Sequence, residues 1–121
     1  MRTSRLIAGL VVLVAAGASG AALASRSASS ATTRLTVTGG EYWFKLSRAS
    51  VPRGTVYVTF INKGAESHDL KFIGRSPMTR VLLPGAKQTI KLVLTKRGRF
   101  SFLCTVGEHA LKGMNGTLIV R

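Results

Sequence analysis

The sequence predicts an all-β fold: a sandwich or small barrel of seven to eight short strands. Three observations carry that prediction. From Arg34 to the end, apolar residues alternate with polar ones, the period of a half-buried strand. Turn signals recur at roughly ten-residue spacing. No window of helical length shows an apolar stripe at the 3.6-residue helical period.

Taken in order, Leu35 and Val37 share the inner face of a first strand, and Tyr42, Phe44 and Leu46 that of a second. Val51-Pro52-Arg53-Gly54 is a turn, with Pro presetting one backbone angle and Gly permitting the other. Val56, Val58 and Phe60 then alternate with Tyr57 and Thr59 until Asn62-Lys63-Gly64 ends the run. A further strand puts His68, Leu70 and Phe72 inward and Asp69 and Lys71 outward. Pro84-Gly85 separates the next two segments, the second being 88–95 with Ile90, Leu92 and Leu94 together. Lys96-Arg97-Gly98 connects to the strand 99–104, and Gly116 introduces a last strand, 117–121. The expected architecture is antiparallel throughout.

The first residues read as an address. Arg2 and Arg5 precede an apolar run from Leu6 to Ala18, and Ala22-Leu23-Ala24 is a small-x-small exit. Together these describe a secretory signal peptide over 1–24, cleaved after Ala24; an uncleaved N-terminal anchor is the alternative. Residues 25–33 are a Ser/Ala/Thr-rich flexible lead-in, and 34–121 form the domain. The implied location is extracytoplasmic: periplasm, cell envelope or medium.

Composition excludes several chemistries. The 121 residues hold one Cys, so there is no disulfide framework and no four-thiolate zinc or iron–sulfur site. Four acidic residues are too few for metal chemistry built on carboxylate clusters. The net charge of +14 points to an anionic partner. The cations nevertheless fall on outward strand positions and in turns, as a solvated surface would place them. Aromatics do not interleave with them, which argues against nucleic acid. An acidic redox partner or an anionic cell-envelope surface fits better. Nothing in the pattern suggests a small-molecule substrate, and the chain reads as a monomer.

Phe100, Phe102 and Cys104 share a face, so Cys104 points inward at its strand's end. Behind it runs Cys104-x4-His109-x4-Met114 in one loop, and His68 faces inward from upstream. Thiolate, two imidazoles and a thioether form a soft, mixed donor set. Two His and one Cys with a weak axial Met are the ligands of a blue-copper electron-transfer site. The thiolate bonds covalently and passes the electron, the imidazoles serve both oxidation states, and the distant thioether raises the potential. Each residue alone has a plainer explanation: a small hydrophobe, a satisfied core histidine, an exposed loop histidine and packing. Their convergence on one motif in an all-β domain outweighs those readings. Met78 lacks such a setting and is ordinary packing or surface.

From Arg34 to Arg121 the chain resembles the cupredoxins, more narrowly the plastocyanin/azurin-type small blue copper proteins. The most specific stretch is Phe102-Leu-Cys104-Thr-Val-Gly-Glu-His109-Ala-Leu-Lys-Gly113-Met114-Asn-Gly116-Thr-Leu-Ile-Val120. That resemblance implies a cupredoxin-like Greek-key β-sandwich with one type 1 copper ion at one end. His68, Cys104 and His109 would be its equatorial ligands and Met114 the axial one. Asp69 stands where the family commonly has Asn, whose side chain ties the two ligand-bearing segments together. Asp can accept hydrogen bonds from the Thr105 backbone or hydroxyl but cannot donate, and its charge near copper would lower the potential. The Pro many relatives carry before the loop His is absent, and Gly107-Glu108 should loosen that loop.

The implied function is a one-electron carrier with transient redox partners, not an enzyme. An extracytoplasmic copper carrier or buffer uses the same ligands and is the main alternative. Zinc at His68, Cys104 and His109 leaves the thioether without a role. A nucleophilic Cys104 activated by His109 lacks an orienting third residue and an oxyanion cradle.

Overall fold

The computed structural model describes residues 32–121, together with Gly9, Val12, Leu13, Gly17 and Gly20. Apart from those five residues, the predicted signal segment lies outside the described residues, as does all of the lead-in but Thr32 and Thr33. Eight strands follow in order: β1 (Thr33–Gly40), β2 (Trp43–Leu46), β3 (Ser50–Val51), β4 (Gly54–Asn62), β5 (Lys71–Phe72), β6 (Lys87–Leu94), β7 (Gly98–Leu103) and β8 (Asn115–Val120). They form two four-stranded sheets, ordered β2-β1-β4-β6 and β3-β8-β7-β5. There is no helix among the described residues, so none is long and apolar enough to cross a membrane.

Alternation decides which side chains meet between the sheets. Leu35 and Val37 of β1, Val56, Val58 and Phe60 of β4, and Ile90, Leu92 and Leu94 of β6 are buried from one side. Val51, Phe72, Phe102, Leu118 and Val120 meet them from the other. Each such side chain stabilises the fold by about 1.5–3 kcal/mol through removal from water. Phe44 contacts Phe60 and Phe102 edge to face, at 5.7 and 5.5 Å between centroids, and Phe72 leans on Phe102 at 5.2 Å. Gly116 lies under the Phe102 ring, where a Cβ would stand 2.5 Å from Cζ.

The architecture is not antiparallel throughout. β1 pairs parallel with β4, and β3 with β8. The cause is a crossover. β2 folds back on the outer edge of β1, and the chain then passes to the second sheet as β3. It returns through Pro52-Arg53 at the end where β1 begins, so β4 must run the same way as β1.

The strand expected around His68 is also shorter than its alternation suggests. Only Lys71 and Phe72 form a ladder, opposite Leu103 and Phe102. His68 makes an isolated bridge with Leu82. The segment is tied by other bonds instead. The Leu70 amide donates to the Thr79 hydroxyl, and the Thr79 amide to the Leu70 carbonyl. Buried Asn62 donates to the carbonyls of Glu66 and Leu82 at 2.8 and 2.9 Å. Asp69 is fully buried rather than outward.

Candidate metal centre

Strand ends from both sheets converge at one pole of the sandwich. Cys104 follows β7 directly and is 1% exposed. Its amide donates to the Met114 carbonyl at 3.1 Å, closing the loop between β7 and β8. Within that loop the His109 amide donates to Val106 O and the Met114 amide to His109 O. Gly107 makes the turn at φ 47°, a left-handed conformation that residues with a Cβ adopt at a cost. Asn115 donates its side-chain amide to Ala110 O.

His68 enters from the segment after β4, positioned by its two backbone bonds to Leu82. The donor atoms of His68, Cys104 and His109 all lie within 4.8 Å of one another, and all three residues are buried. Both rings present Nδ1, 3.0 Å apart, with the Cys104 Sγ 3.9 Å from His68 Nδ1 and 3.7 Å from His109 Nδ1. Three donors around a single ion stand at such separations when metal–nitrogen bonds are about 2.0 Å and metal–sulfur bonds about 2.3 Å. Met114 is fully buried beside them, its backbone bonded to both Cys104 and His109. Gly39 leaves room for it, since a Cβ there would approach the Met114 methyl to 3.1 Å. The residues singled out in the sequence are thus brought to one place.

Asp69 does what its position in the motif implies. It accepts from the Thr105 amide at 2.6 Å through Oδ1, and from the Thr105 hydroxyl through Oδ2. The residue after His68 is thereby joined to the residue after Cys104. Burial pushes the Cys104 thiol above its usual pKa, so the ligand-competent thiolate is disfavoured until a cation compensates it.

Three contributors were not visible in the sequence. Glu41, in the tip between β1 and β2, accepts from the His68 Nε2 at 2.9 Å. The ring proton therefore sits on Nε2, and the Nδ1 lone pair faces the thiol. The Glu66 amide (2.6 Å) and then the His68 ring hold the Glu41 carboxyl down at about 2. Tyr42 lies against the His109 ring, 4.8 Å between centroids, and covers one side of the site. Asn62 fixes the loop leading to His68. The only signal for Glu41 was scarcity, as one of four acidic residues in a basic chain.

Fold and site together define a small β-sandwich protein with one buried, sulfur-containing metal centre. The sequence pattern of the cupredoxin-like domain matches residues 7–120, and the chain belongs to that family. No curated protein sequence matches it. Among solved structures it is similar to a dithionite-reduced auracyanin from the photosynthetic bacterium Roseiflexus castenholzii, at 24% identity and TM-score 0.60, covering 74% of this chain and 96% of that one. It is also similar to auracyanin A, a "blue" copper protein of the green thermophilic photosynthetic bacterium Chloroflexus aurantiacus, at 14% identity and TM-score 0.61, covering 75% and 100%. A copper-containing nitrite reductase from Thermus scotoductus matches at 19% identity and TM-score 0.59, over 75% of this chain and 28% of that enzyme. At these identities the likeness is one of fold, and the fold is shared between small proteins and enzymes. In this chain the two imidazoles, thiol and thioether of His68, His109, Cys104 and Met114 fit one type 1 copper ion.

Proposed function

We propose that the protein is an exported one-electron carrier whose copper is held by His68, Cys104 and His109, with Met114 as the weak axial donor. The carrying observation is the donor triangle: two Nδ1 atoms and one Sγ, buried, already at coordination distances of one another. Bound there, copper would cycle between Cu(I) and Cu(II). The chain's part is to change little as it does. The ties from Asp69 to Thr105, Cys104 to Met114 and Glu41 to His68 hold each donor from a second direction, which keeps rearrangement small. Tyr42 and the loop exclude water.

His109 is 8% exposed, and Leu111, two residues on, is 87% exposed. With half-buried Val106 and Ala110 it supplies a small apolar patch over the ligand, suited to brief contact with a redox partner. Leu111→Glu slows reduction by a partner while leaving the copper spectrum intact. An altered spectrum with normal transfer would overturn this route.

The deciding experiment adds Cu(II) to the purified metal-free protein. An intense blue thiolate-to-copper absorption, absent in Cys104→Ser, supports the assignment; colourless Cu(II) binding refutes it. Repeated reduction and oxidation with the ion retained supports a shuttle over a copper carrier. Export is read separately, by N-terminal sequencing of the secreted product, expected to begin at Ser25.

A further inference from the structure

The strands run from pole to pole, and the ionic groups divide unequally between the two ends. All four acidic side chains are at the metal pole: Glu41 bonded to His68, Glu66 beside His109, Asp69 bonded to Thr105, and Glu108 in the ligand loop. The opposite pole lies where β1, β4 and β7 begin and β3, β6 and β8 end. Register fixes it, pairing Thr33 with Val56, Gly54 with Leu94, and Val120 with both Val51 and Gly98. Arg34, Arg53, Lys96, Arg97, Arg99 and Arg121 occupy that pole, all exposed. No acidic side chain among the described residues accompanies them. Three of these arginines, Arg53, Arg97 and Arg121, border a shallow depression of about 420 Å³ with Pro52, Gly54 and Thr95. The cations are spread over the surface, as their sequence positions imply, but the acidic side chains that would neutralise them are all at the far end.

Six like charges at one end repel each other, and folding gains nothing from collecting them. Nor do they serve electron transfer. The nine residues of β4 separate the two poles, about 30 Å at roughly 3.3 Å per residue. Tunnelling decays exponentially with distance, so a redox partner seated there exchanges no electrons. The cations come from four strand ends across a broad face, and the ring beside Arg34, half-buried Tyr57, lies under its guanidinium at 5.8 Å rather than open for bases to stack on. The chain also enters the domain here, at Thr33, behind the uncharged apolar run 6–18.

We propose that this arginine-rich pole docks on an anionic lipid bilayer, leaving the metal pole facing away from the membrane. Guanidinium groups match lipid phosphates in bidentate geometry, and each cation close to such a surface strengthens binding about fivefold. The proposal rests on the exported reading for which membrane it meets, whereas the binding itself needs no copper.

The test is co-sedimentation of the copper-loaded full-length protein with phosphatidylglycerol-containing vesicles and with pure phosphatidylcholine vesicles. The neutral vesicles report whatever the N-terminal apolar run contributes. Two variants of equal charge are compared: R53Q/R97Q/R121Q at the far pole and K63Q/R80Q/K87Q around the metal pole. The far-pole variant loses the anionic preference by about fivefold per cation, on the order of a hundredfold, while the other stays within about twofold of the parent. High salt removes the preference, and neutral-vesicle binding is the same for all three. Equal losses in both variants, or no anionic preference in the parent, would overturn the proposal. So would a far-pole variant that keeps its vesicle binding but loses affinity for an acidic protein or an oligonucleotide. Blue absorption and unfolding midpoint, measured on the same samples, report separately on the copper assignment and on folding.

Discussion

Replacing Asp69 with alanine cuts both ties between the His68 segment and the Cys104 segment. A hydrogen bond to a charged acceptor contributes about 1.5–3 kcal/mol net, and Asp69 accepts two from Thr105. Thr105 is exposed, so its freed N–H and O–H find water, and the buried carboxylate's desolvation cost disappears with the side chain. Both effects favour the lower bound, about 3 kcal/mol for the pair. In a domain of this size that lowers Tm by about 12–24 °C. Asparagine is the informative control. Its Oδ1 accepts the Thr105 amide and its Nδ2 donates to the hydroxyl, so both contacts persist as neutral bonds of about 1 kcal/mol each. Asp69→Asn therefore costs about 1 kcal/mol. The assay is urea unfolding of the metal-free proteins, read from the fluorescence of Trp43, the sole tryptophan. The copper-loaded proteins are then compared by their thiolate band, which weakens or shifts in the alanine variant. An alanine variant within about 0.5 kcal/mol of the parent would refute the reasoning. An asparagine variant as costly as alanine would show that the charge matters, not the ties.

Met114 is fully buried, so Met114→Ala lowers stability by about 2–5 kcal/mol in denaturant melts. Met114→Leu keeps the volume and costs less than about 1.5 kcal/mol. Because the thioether favours a high potential only by donating weakly, removing even that donation to Cu(II) raises the reduction potential of the copper form further in redox titrations. Gly116→Ala drives a Cβ into the Phe102 ring and destabilises by about 1–3 kcal/mol, seen as a lower Tm. Because burial raises the Cys104 thiol pKa, the thiol form dominates at neutral pH in the metal-free protein. Alkylation at pH 7 is therefore much slower than for a free thiol, quickens as pH rises, and reaches the free-thiol rate only in denaturant.

The strands with strict alternation were legible because both sheets bury one face. Val56, Val58 and Phe60, or Ile90, Leu92 and Leu94, leave the pleat no choice of side. The donors were legible for another reason: Cys104, His109 and Met114 fall within one short loop, and His68 is one of two histidines. What escaped was whatever depends on sequence-distant neighbours. The parallel pairing of β1 with β4 follows from the crossover of β3, and no local period records a crossover. Asp69 reads as outward by alternation, yet turns in because Thr105, thirty-six residues on, offers two donors. Glu41 lies twenty-seven residues from His68, and nothing in its local tip suggests a histidine partner. The charge division between the poles likewise appears only once register sets which turns share an end.

The closeness of Cys104, His109 and Met114 in the chain has a thermodynamic consequence. Eleven residues span three of the four donors, so little loop entropy opposes their gathering around an ion even in the unfolded polypeptide. Only His68 has to be recruited from afar. A ligand stabilises a fold in proportion to its preference for the native over the denatured state, and binding to the denatured chain subtracts from that preference. Copper therefore raises the unfolding midpoint by less than its affinity for the finished protein implies. An ion captured by the nascent loop needs no exit and re-entry: folding closes the fourth donor over it.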